Sequence, residues 1–199
     1  MGKFDKDYFF IRSPSGEHFP ELTPDMDTAE KPYATELLPI GGKPLIFYNG
    51  FLDFQKSKKI TPIDPPPDVL FDGSDMVVCD RIADKLTDLE IPNLAIQPAI
   101  FIDHKDNWHE NYWFLTFVER FDCWDREHSA YDPEPLDLEP PLYEMYSYSF
   151  NERLLQKTPL SERRLFKLEG TTDGYVVAHK SIVNLFRVNG VRIMPITDY

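Results

Sequence analysis

One polar segment of this chain combines residue types that could do chemistry. Residues 119–129 read ERFDCWDREHS and hold two aspartates, two glutamates, a cysteine and a histidine. Carboxylate oxygens and imidazole nitrogens are ordinary metal ligands, so the segment allows a small metal-dependent hydrolase centre, with His104 or His109 reaching in from elsewhere. The candidate ligands are Asp122, Asp125, Glu127 and His128.

A second chemical interpretation is a nucleophilic pair formed by Cys123 and His128. No nearby residue would lower the pKa of the thiol, and the neighbouring carboxylates would raise it. The chain also has no HExxH, EF-hand, CxxC, GxSxG or GxGxxG pattern. The sequence therefore predicts no catalytic residue, no metal and no cofactor.

A structural role explains the same segment more simply. Phe121 and Trp124 would anchor the end of a strand in the core. Asp122, Asp125 and Ser129 would fix the following turn through hydrogen bonds from backbone amides to their side chains. We expect these five residues to form a structural motif.

The charge of the chain limits its partners. The net charge is −13 over 199 residues, and residues 1–150 carry 29 acidic and 13 basic side chains. Such a surface repels nucleic acid and attracts a basic protein. Because the chain shows neither a signal peptide nor an apolar run long enough to span a membrane, and because its two cysteines form no framework, we expect a cytoplasmic protein that does not contact membranes.

Two similar patterns predict the elements that position these residues. In the first, a strand beginning at Asp75 precedes a helix capped by Asp80, whose apolar face is Ile82, Leu86 and Leu89, and a strand follows to about residue 98. In the second, residues 175–195 repeat this order, with Ile182, Leu185 and Phe186 as the helix face. Two strand–helix–strand units of similar length suggest a duplicated element that packs on a shared sheet.

The remaining segments complete the predicted fold. Residues 1–65 form a proline-rich segment of short strands and loops, and residues 66–199 form the core domain, with the two together making one compact unit. Residues 111–122 predict a long strand, and residues 131–143, rich in proline and acid, predict an exposed loop. The expected class is α+β, a single domain with a mixed, largely antiparallel sheet.

Four stretches of residues 66–199 together resemble immunity-protein family eleven of bacterial polymorphic-toxin systems. They are LFDGSDMVVCDRIADKL, IQPAIF, YWFLTFVERFDCWDREHS and RRLFKLEGTTDGYVVAHKSIVNLFRVNGVRIMPI. The resemblance implies a non-enzymatic inhibitor that binds and neutralises a cognate antibacterial toxin. The chain departs from the family pattern at Ala178-His179, where a serine that caps the last helix is usual.

The acidic composition suggests where such a toxin, if basic, would bind. Residues 122–144 hold eight carboxylates and one arginine. Charged and aromatic side chains on an exposed loop favour steering and anchoring of a basic partner. The predicted partner-binding residues are Tyr131, Asp132, Glu134, Asp137, Glu139, Tyr143 and Glu144.

Two other functions stay open at this level. One is the hydrolase described above, and the other is an adaptor module without a toxin partner. The sequence carries no signal for an oligomeric state.

Overall fold

A computed structural model describes residues 2–199 and confirms the predicted α+β class with mostly antiparallel sheets. The strands are β1 (Tyr8–Arg12), β2 (Leu22–Pro24), β3 (Leu45–Asn49), β4 (Val69–Asp72), β5 (Asp75–Cys79), β6 (Leu94–Ile102), β7 (Trp108–Phe117), β8 (Ala130–Tyr131), β9 (Met145–Ser147), β10 (Leu165–Lys167), β11 (Val176–His179) and β12 (Arg192–Pro195). The α-helices are α1 (Met26–Ala29), α2 (Leu52–Lys58), α3 (Asp80–Asp88) and α4 (Glu152–Lys157). Short 3-10 helices cover Asp5–Asp7, Leu160–Arg163, Val183–Phe186 and Ile196–Asp198.

Contacts between Cα atoms divide the chain into two compact units. The first unit consists of the chain up to Arg12, Glu119–Arg187 and Ile193–Tyr199. The second unit consists of Ser13–Val118 and Val188–Arg192. The division into residues 1–65 and 66–199 that the sequence suggests stays a prediction.

The second unit is built on a six-stranded sheet with the strand order β2-β3-β6-β7-β5-β4. Its strand pairs are antiparallel except for β3 and β6, which run parallel. A bridge between Glu21, just before β2, and Phe71 of β4 links the two edges of this sheet. This bridge brings the two edge strands of the sheet next to each other at one point.

Aromatic packing fills the interior of the second unit. Phe47 and Phe114 stack with ring centroids 5.9 Å apart, and Tyr33 meets Phe114 edge to face at 4.9 Å. The hydroxyl of Thr116 donates to the Tyr33 carbonyl at 2.7 Å, and Gln97 donates to Thr116. These buried bonds fix the loop that follows Tyr33 against the sheet, because a buried polar group left without a partner would be costly.

Helix α3 confirms two of the three residues of the predicted apolar face but not its predicted cap, and the third residue, Leu89, is half-buried just after the helix. Ile82 and Leu86 are buried, as their helical spacing predicts. The helix begins one residue earlier than expected, so Cys79 is the N-cap and Asp80 is the first helical residue. The Asp80 carboxylate instead accepts a hydrogen bond from the Trp113 indole at 2.6 Å. Its charge still suits the positive end of the helix dipole.

The first unit holds a four-stranded sheet with the order β10-β11-β1-β12, in which β11 is antiparallel to both neighbours. The sheet packs on an aromatic core, and buried side chains reach it from elements far apart in sequence. The buried aromatic residues of this core are Tyr8, Phe10, Trp124, Tyr148, Phe150 and Phe166.

The two predicted repeats have the same arrangement but lie in different sheets, so the shared sheet is wrong. In the first repeat, the hairpin of β4 and β5 is followed by α3 and then by β6, and β7 lies between β5 and β6 in the sheet. In the second repeat, the hairpin of β10 and β11 is followed by a helix and then by β12, and β1 lies between β11 and β12. The second helix is a 3-10 helix and not an α-helix. Its buried residues, Val183 and Phe186, are three apart, which matches the three-residue turn of a 3-10 helix.

The long strand also differs from the prediction of residues 111–122. Strand β7 begins at Trp108, where it pairs with Ile102, and ends at Phe117. Residues after it leave the ladder, and the Phe121 amide donates to the Lys167 carbonyl at 2.8 Å. No helix among residues 2–199 is long and apolar enough to cross a membrane.

Candidate functional site

The carboxylate of Asp122 is held by an arginine. Arg126 forms a two-point ion pair with Asp122, with one contact at 2.7 Å, and also donates to the Trp124 carbonyl at 3.0 Å. Its guanidinium lies 3.7 Å from the centre of the Trp124 ring. This combination of a planar ion pair and a cation–π contact suits arginine and leaves little of Asp122 for a metal.

Asp125 organises the turn that follows. Its Oδ1 accepts hydrogen bonds from the amides of Glu127, at 2.9 Å, and His128, at 3.1 Å, and lies 3.2 Å from the His128 Nδ1. Burial alone would raise the pKa of Asp125, but these hydrogen bonds outweigh it and lower the pKa. The carboxylate therefore stays charged while it fixes the backbone.

Ser129 ties the same turn to a distant part of the chain. Its hydroxyl contacts both the carbonyl and the amide of Ser149, at 3.2 and 3.0 Å, and the Asp125 amide donates to the Ser149 carbonyl at 2.8 Å. Asp125 and Ser129 thus make bonds to the backbone, as the structural interpretation of the sequence proposes, whereas Asp122 makes an ion pair instead.

Cys123 is placed poorly for nucleophilic chemistry. Its side chain is fully buried, and burial, together with the nearby Asp122 charge, raises the pKa of its thiol well above the ordinary value. His128 is exposed and contacts Asp125. A protonated, inaccessible thiol does not attack a substrate.

The candidate metal ligands line an open pocket of about 730 Å³ that also contains Arg126 and Arg153. Among residues 2–199, no group of three or more histidine, cysteine, aspartate or glutamate side chains is arranged to hold a metal ion. His109 lies elsewhere, in the second unit, with its Nε2 2.9 Å from Asp103.

Asp103 has a structural role of its own in the turn between β6 and β7. It accepts hydrogen bonds from the Lys105 and Asn107 amides at 2.7 and 3.0 Å, and from the Asn107 side chain at 3.0 Å. Burial would raise the pKa of Asp103, but the bonds from His109, Asn107 and Lys105 lower it far below the usual range.

Trp124 is the centre of an aromatic cluster beneath the predicted binding loop. Tyr131 and Tyr143 meet its ring edge to face at 4.9 and 5.7 Å, and they meet each other at 5.3 Å. Gly170, with φ of +75°, lies close by, and a methyl group there would be 3.1 Å from the Trp124 Nε1. The Nε1 is buried and has no hydrogen-bond partner among the described residues.

The residues 131–144, which we call the acidic loop, leave this cluster and return to it. The Asp132 amide donates to the Glu144 carbonyl at 2.8 Å, and the Leu136 amide donates to the Leu142 carbonyl at 2.9 Å. The Tyr143 amide donates to the Gly170 carbonyl at 3.2 Å. The loop is therefore closed at its base and pinned to its surroundings.

The predicted binding residues divide into two groups on this loop. Tyr131, Tyr143 and Asp132 are half-buried at the base, where Asp132 accepts from the Glu134 amide at 3.0 Å and contacts the Tyr146 hydroxyl at 3.4 Å. The other four are exposed carboxylates. They are Glu134, Asp137, Glu139 and Glu144.

The sequence prediction omitted three exposed apolar or aromatic side chains in the same region. Leu136 and Leu138 are each 53% exposed, and Tyr146 is 57% exposed. The alternation Leu136-Asp137-Leu138 between prolines is the sequence signal that could have identified the two leucines. The nearby carboxylates, that of Asp132 first, raise the pKa of Tyr146.

Comparison with known protein families gives a match over most of the chain. Residues 12–187 match the model of the Immunity protein family (Imm11). This range takes in the polar segment, the acidic loop, the first repeat and the second repeat as far as residue 187. No curated protein sequence matches the chain.

Proposed function

Because this chain belongs to the Imm11 immunity protein family, we propose that it binds a cognate antibacterial toxin and neutralises it without catalysis, within the cytoplasm of the producing cell. An immunity function implies a toxin partner in general. The observation that carries the proposed binding mode is the acidic loop, a pinned, solvent-exposed segment crowded with carboxylates.

The charge of the acidic loop favours a basic toxin. No lysine or arginine occurs between Arg126 and Arg153, so no basic side chain in this stretch neutralises the loop. Exposed carboxylates of one sign raise the rate at which a basic partner arrives and orient it on arrival. The toxin surface that meets the loop is therefore proposed to be rich in lysine and arginine.

The base of the loop supplies rigidity and apolar contact. Tyr131 and Tyr143 are held on Trp124, and the backbone bonds close the loop before any partner binds. A surface already fixed in its binding conformation loses less entropy on association. Leu136 and Leu138 are placed to add apolar contact, which carries more binding energy than exposed ion pairs.

Growth protection is the direct test of the proposed function. The tagged chain is recovered from its native cell, and any protein that co-purifies in near-equal amount is expressed alone and together with the chain. We expect the partner alone to stop growth and the chain to restore it. A partner that is harmless by itself, or toxicity that the chain does not relieve, would show that the chain has another role.

The acidic loop is tested separately by charge reversal. Binding of the toxin is measured for a variant in which the five acidic residues of the loop are replaced by lysine, at low and high salt. These residues are Asp132, Glu134, Asp137, Glu139 and Glu144. We expect affinity to fall by at least about 100-fold at low salt, since each lost favourable charge becomes an unfavourable one.

The matched control reverses five exposed carboxylates of the second unit. They are Glu36, Asp53, Asp84, Asp88 and Glu110. This control has the same net charge as the loop variant, so a purely global charge effect would weaken both equally. Equal affinities for the two variants would mean that the toxin binds a different surface.

A further inference from the structure

The second unit carries an apolar groove that the proposed function does not use. It encloses about 760 Å³ beside β3 and β6, and its apolar lining includes Leu37, Ile40, Leu45 and Ile96. A contiguous exposed apolar surface in a water-soluble fold commonly marks a place where another molecule packs.

The most exposed large apolar side chains of the described residues cluster at this groove. Ile40 is fully exposed on its rim, Leu37 is 64% exposed in its wall, and Met26 is 83% exposed next to Asp27, which lines it. The same patch therefore offers a projecting side chain and a hollow. A patch with both features can pair with a copy of itself across a two-fold axis.

The walls of the groove are fixed by hydrogen bonds. The Leu38 amide donates to the side chain of Gln97 at 3.2 Å, and the Ile46 amide donates to the Thr28 hydroxyl at 2.9 Å. Gln97 and Thr28 are buried, so they hold the loop and α1 against the sheet. Because the groove is already held in one conformation, it loses little conformational entropy on binding, and the entropic cost of association is lower.

The charges around the groove separate it from the acidic loop. Its charged lining residues are two carboxylates and two ammonium groups, whereas the chain as a whole carries −13. Asp27 and Lys43 already form an exposed ion pair at 3.7 Å, and Glu30 and Lys31 follow on the same rim. A balanced patch is the part of an acidic molecule on which a second copy meets the least repulsion, and its carboxylates can face its partner's ammonium groups.

We infer that this groove is a self-association surface on which a second copy of the chain binds, with Ile40 of each copy seated in the groove of the other. The inference is independent of the toxin-binding surface. The full chain is expected to sediment as a dimer of 23.3 kDa subunits at about 100 µM.

The test uses analytical ultracentrifugation of the full chain and of Ile40→Asp. Because Ile40 is fully exposed, its replacement should leave the fold intact, which circular dichroism checks. We expect Ile40→Asp to raise the dimer dissociation constant at least about tenfold. The control Leu136→Asp, an exposed leucine of the first unit, should leave it unchanged.

A second variant tests the charge argument. Lys43→Glu makes the patch acidic and should weaken the dimer more at low salt than at high salt, whereas Lys43→Arg should preserve it. A wild-type chain that stays monomeric would overturn the inference, as would a dimer that Ile40→Asp leaves intact. Loss of toxin affinity in Ile40→Asp, with the wild type monomeric, would instead assign the groove to the toxin.

Discussion

At the scale of single residues, potentially reactive side chains of the polar segment are engaged in structural interactions with their neighbours. Asp122 forms an ion pair with Arg126, and Asp125 accepts hydrogen bonds from two backbone amides. Cys123 is buried, and burial raises the pKa of its thiol. Each group has the right type for catalysis but an environment suited to structure. A cluster of reactive types is therefore informative only when its hydrogen bonds are known.

Gly170 provides a prediction at this scale. Gly170→Ala forces a side chain into the left-handed region and places a methyl group 3.1 Å from Trp124 and 3.3 Å from Arg126. We expect a loss of about 2–4 kcal/mol in the free energy of unfolding, measured by urea denaturation, because strain and crowding add. Trp124 fluorescence should change with it.

The control for this substitution is Gly73→Ala. Gly73 also has positive φ, at +56°, but no atom lies within 4 Å of the position of an added methyl group. The free energy of unfolding of Gly73→Ala should fall by only about 1 kcal/mol, which is the cost of the left-handed backbone conformation. Equal losses at both glycines would mean that the crowding around Trp124 relaxes without cost.

At the scale of elements, the turn after β11 is closed by a histidine side chain. The resemblance to the family implies a serine where this chain has Ala178-His179. The Nδ1 of His179 accepts a hydrogen bond from the Ser181 amide at 3.1 Å and lies 2.9 Å from the Ser181 hydroxyl, whereas the 3-10 helix that follows has Ile182 as its N-cap and no side-chain cap. The imidazole therefore satisfies the Ser181 amide within the turn and does not cap the helix.

This arrangement predicts a stability that depends on pH. Burial lowers the pKa of His179, although the Asp7 carboxylate opposes the shift. The unfolded chain therefore binds a proton that the folded chain does not, so the free energy of unfolding should fall as the pH drops below about 6.5 towards the folded pKa. Protonation of Nδ1 would also remove the acceptor.

The measurement compares denaturant unfolding between pH 7.5 and 5 for the wild type and His179→Asn, which offers an amide oxygen but cannot titrate. The variant should show a flatter pH dependence. A wild-type slope in His179→Asn would show that another group titrates in this range.

At the scale of the whole molecule, the charge distribution bears on the proposed binding of a basic toxin. The carboxylates lie mostly in residues 1–150, and the acidic loop falls in a stretch without lysine or arginine between Arg126 and Arg153. The net charge suits long-range attraction, and the aromatic base of the loop suits short-range contact. The association and dissociation rate constants should therefore respond differently to salt.

The corresponding prediction concerns association kinetics with the toxin. Between about 50 and 500 mM salt, the association rate constant should fall by at least about tenfold while the dissociation rate constant changes little, since screening acts on the encounter. Surface plasmon resonance separates the two. An association rate constant that is independent of salt would exclude electrostatic steering by the acidic loop.

The sequence by itself determined the features that depend on local patterns. The strand at β5 and the buried face of α3 follow from the spacing of their apolar residues, and the family follows from motifs along the chain. The exposed character of residues 134–139 follows from proline and acid content. These properties depend only on residues that lie within a few positions of one another in the sequence.

The tertiary structure decided what depends on distant partners. It placed the two repeats in separate sheets, ended β7 at Phe117, and joined the turn at Asp125 to Ser149. It also revealed the groove between the loop around Ile40 and the sheet. A sequence pattern fixes which face of an element is apolar, but contacts between remote segments fix what that face meets and which polar groups remain free.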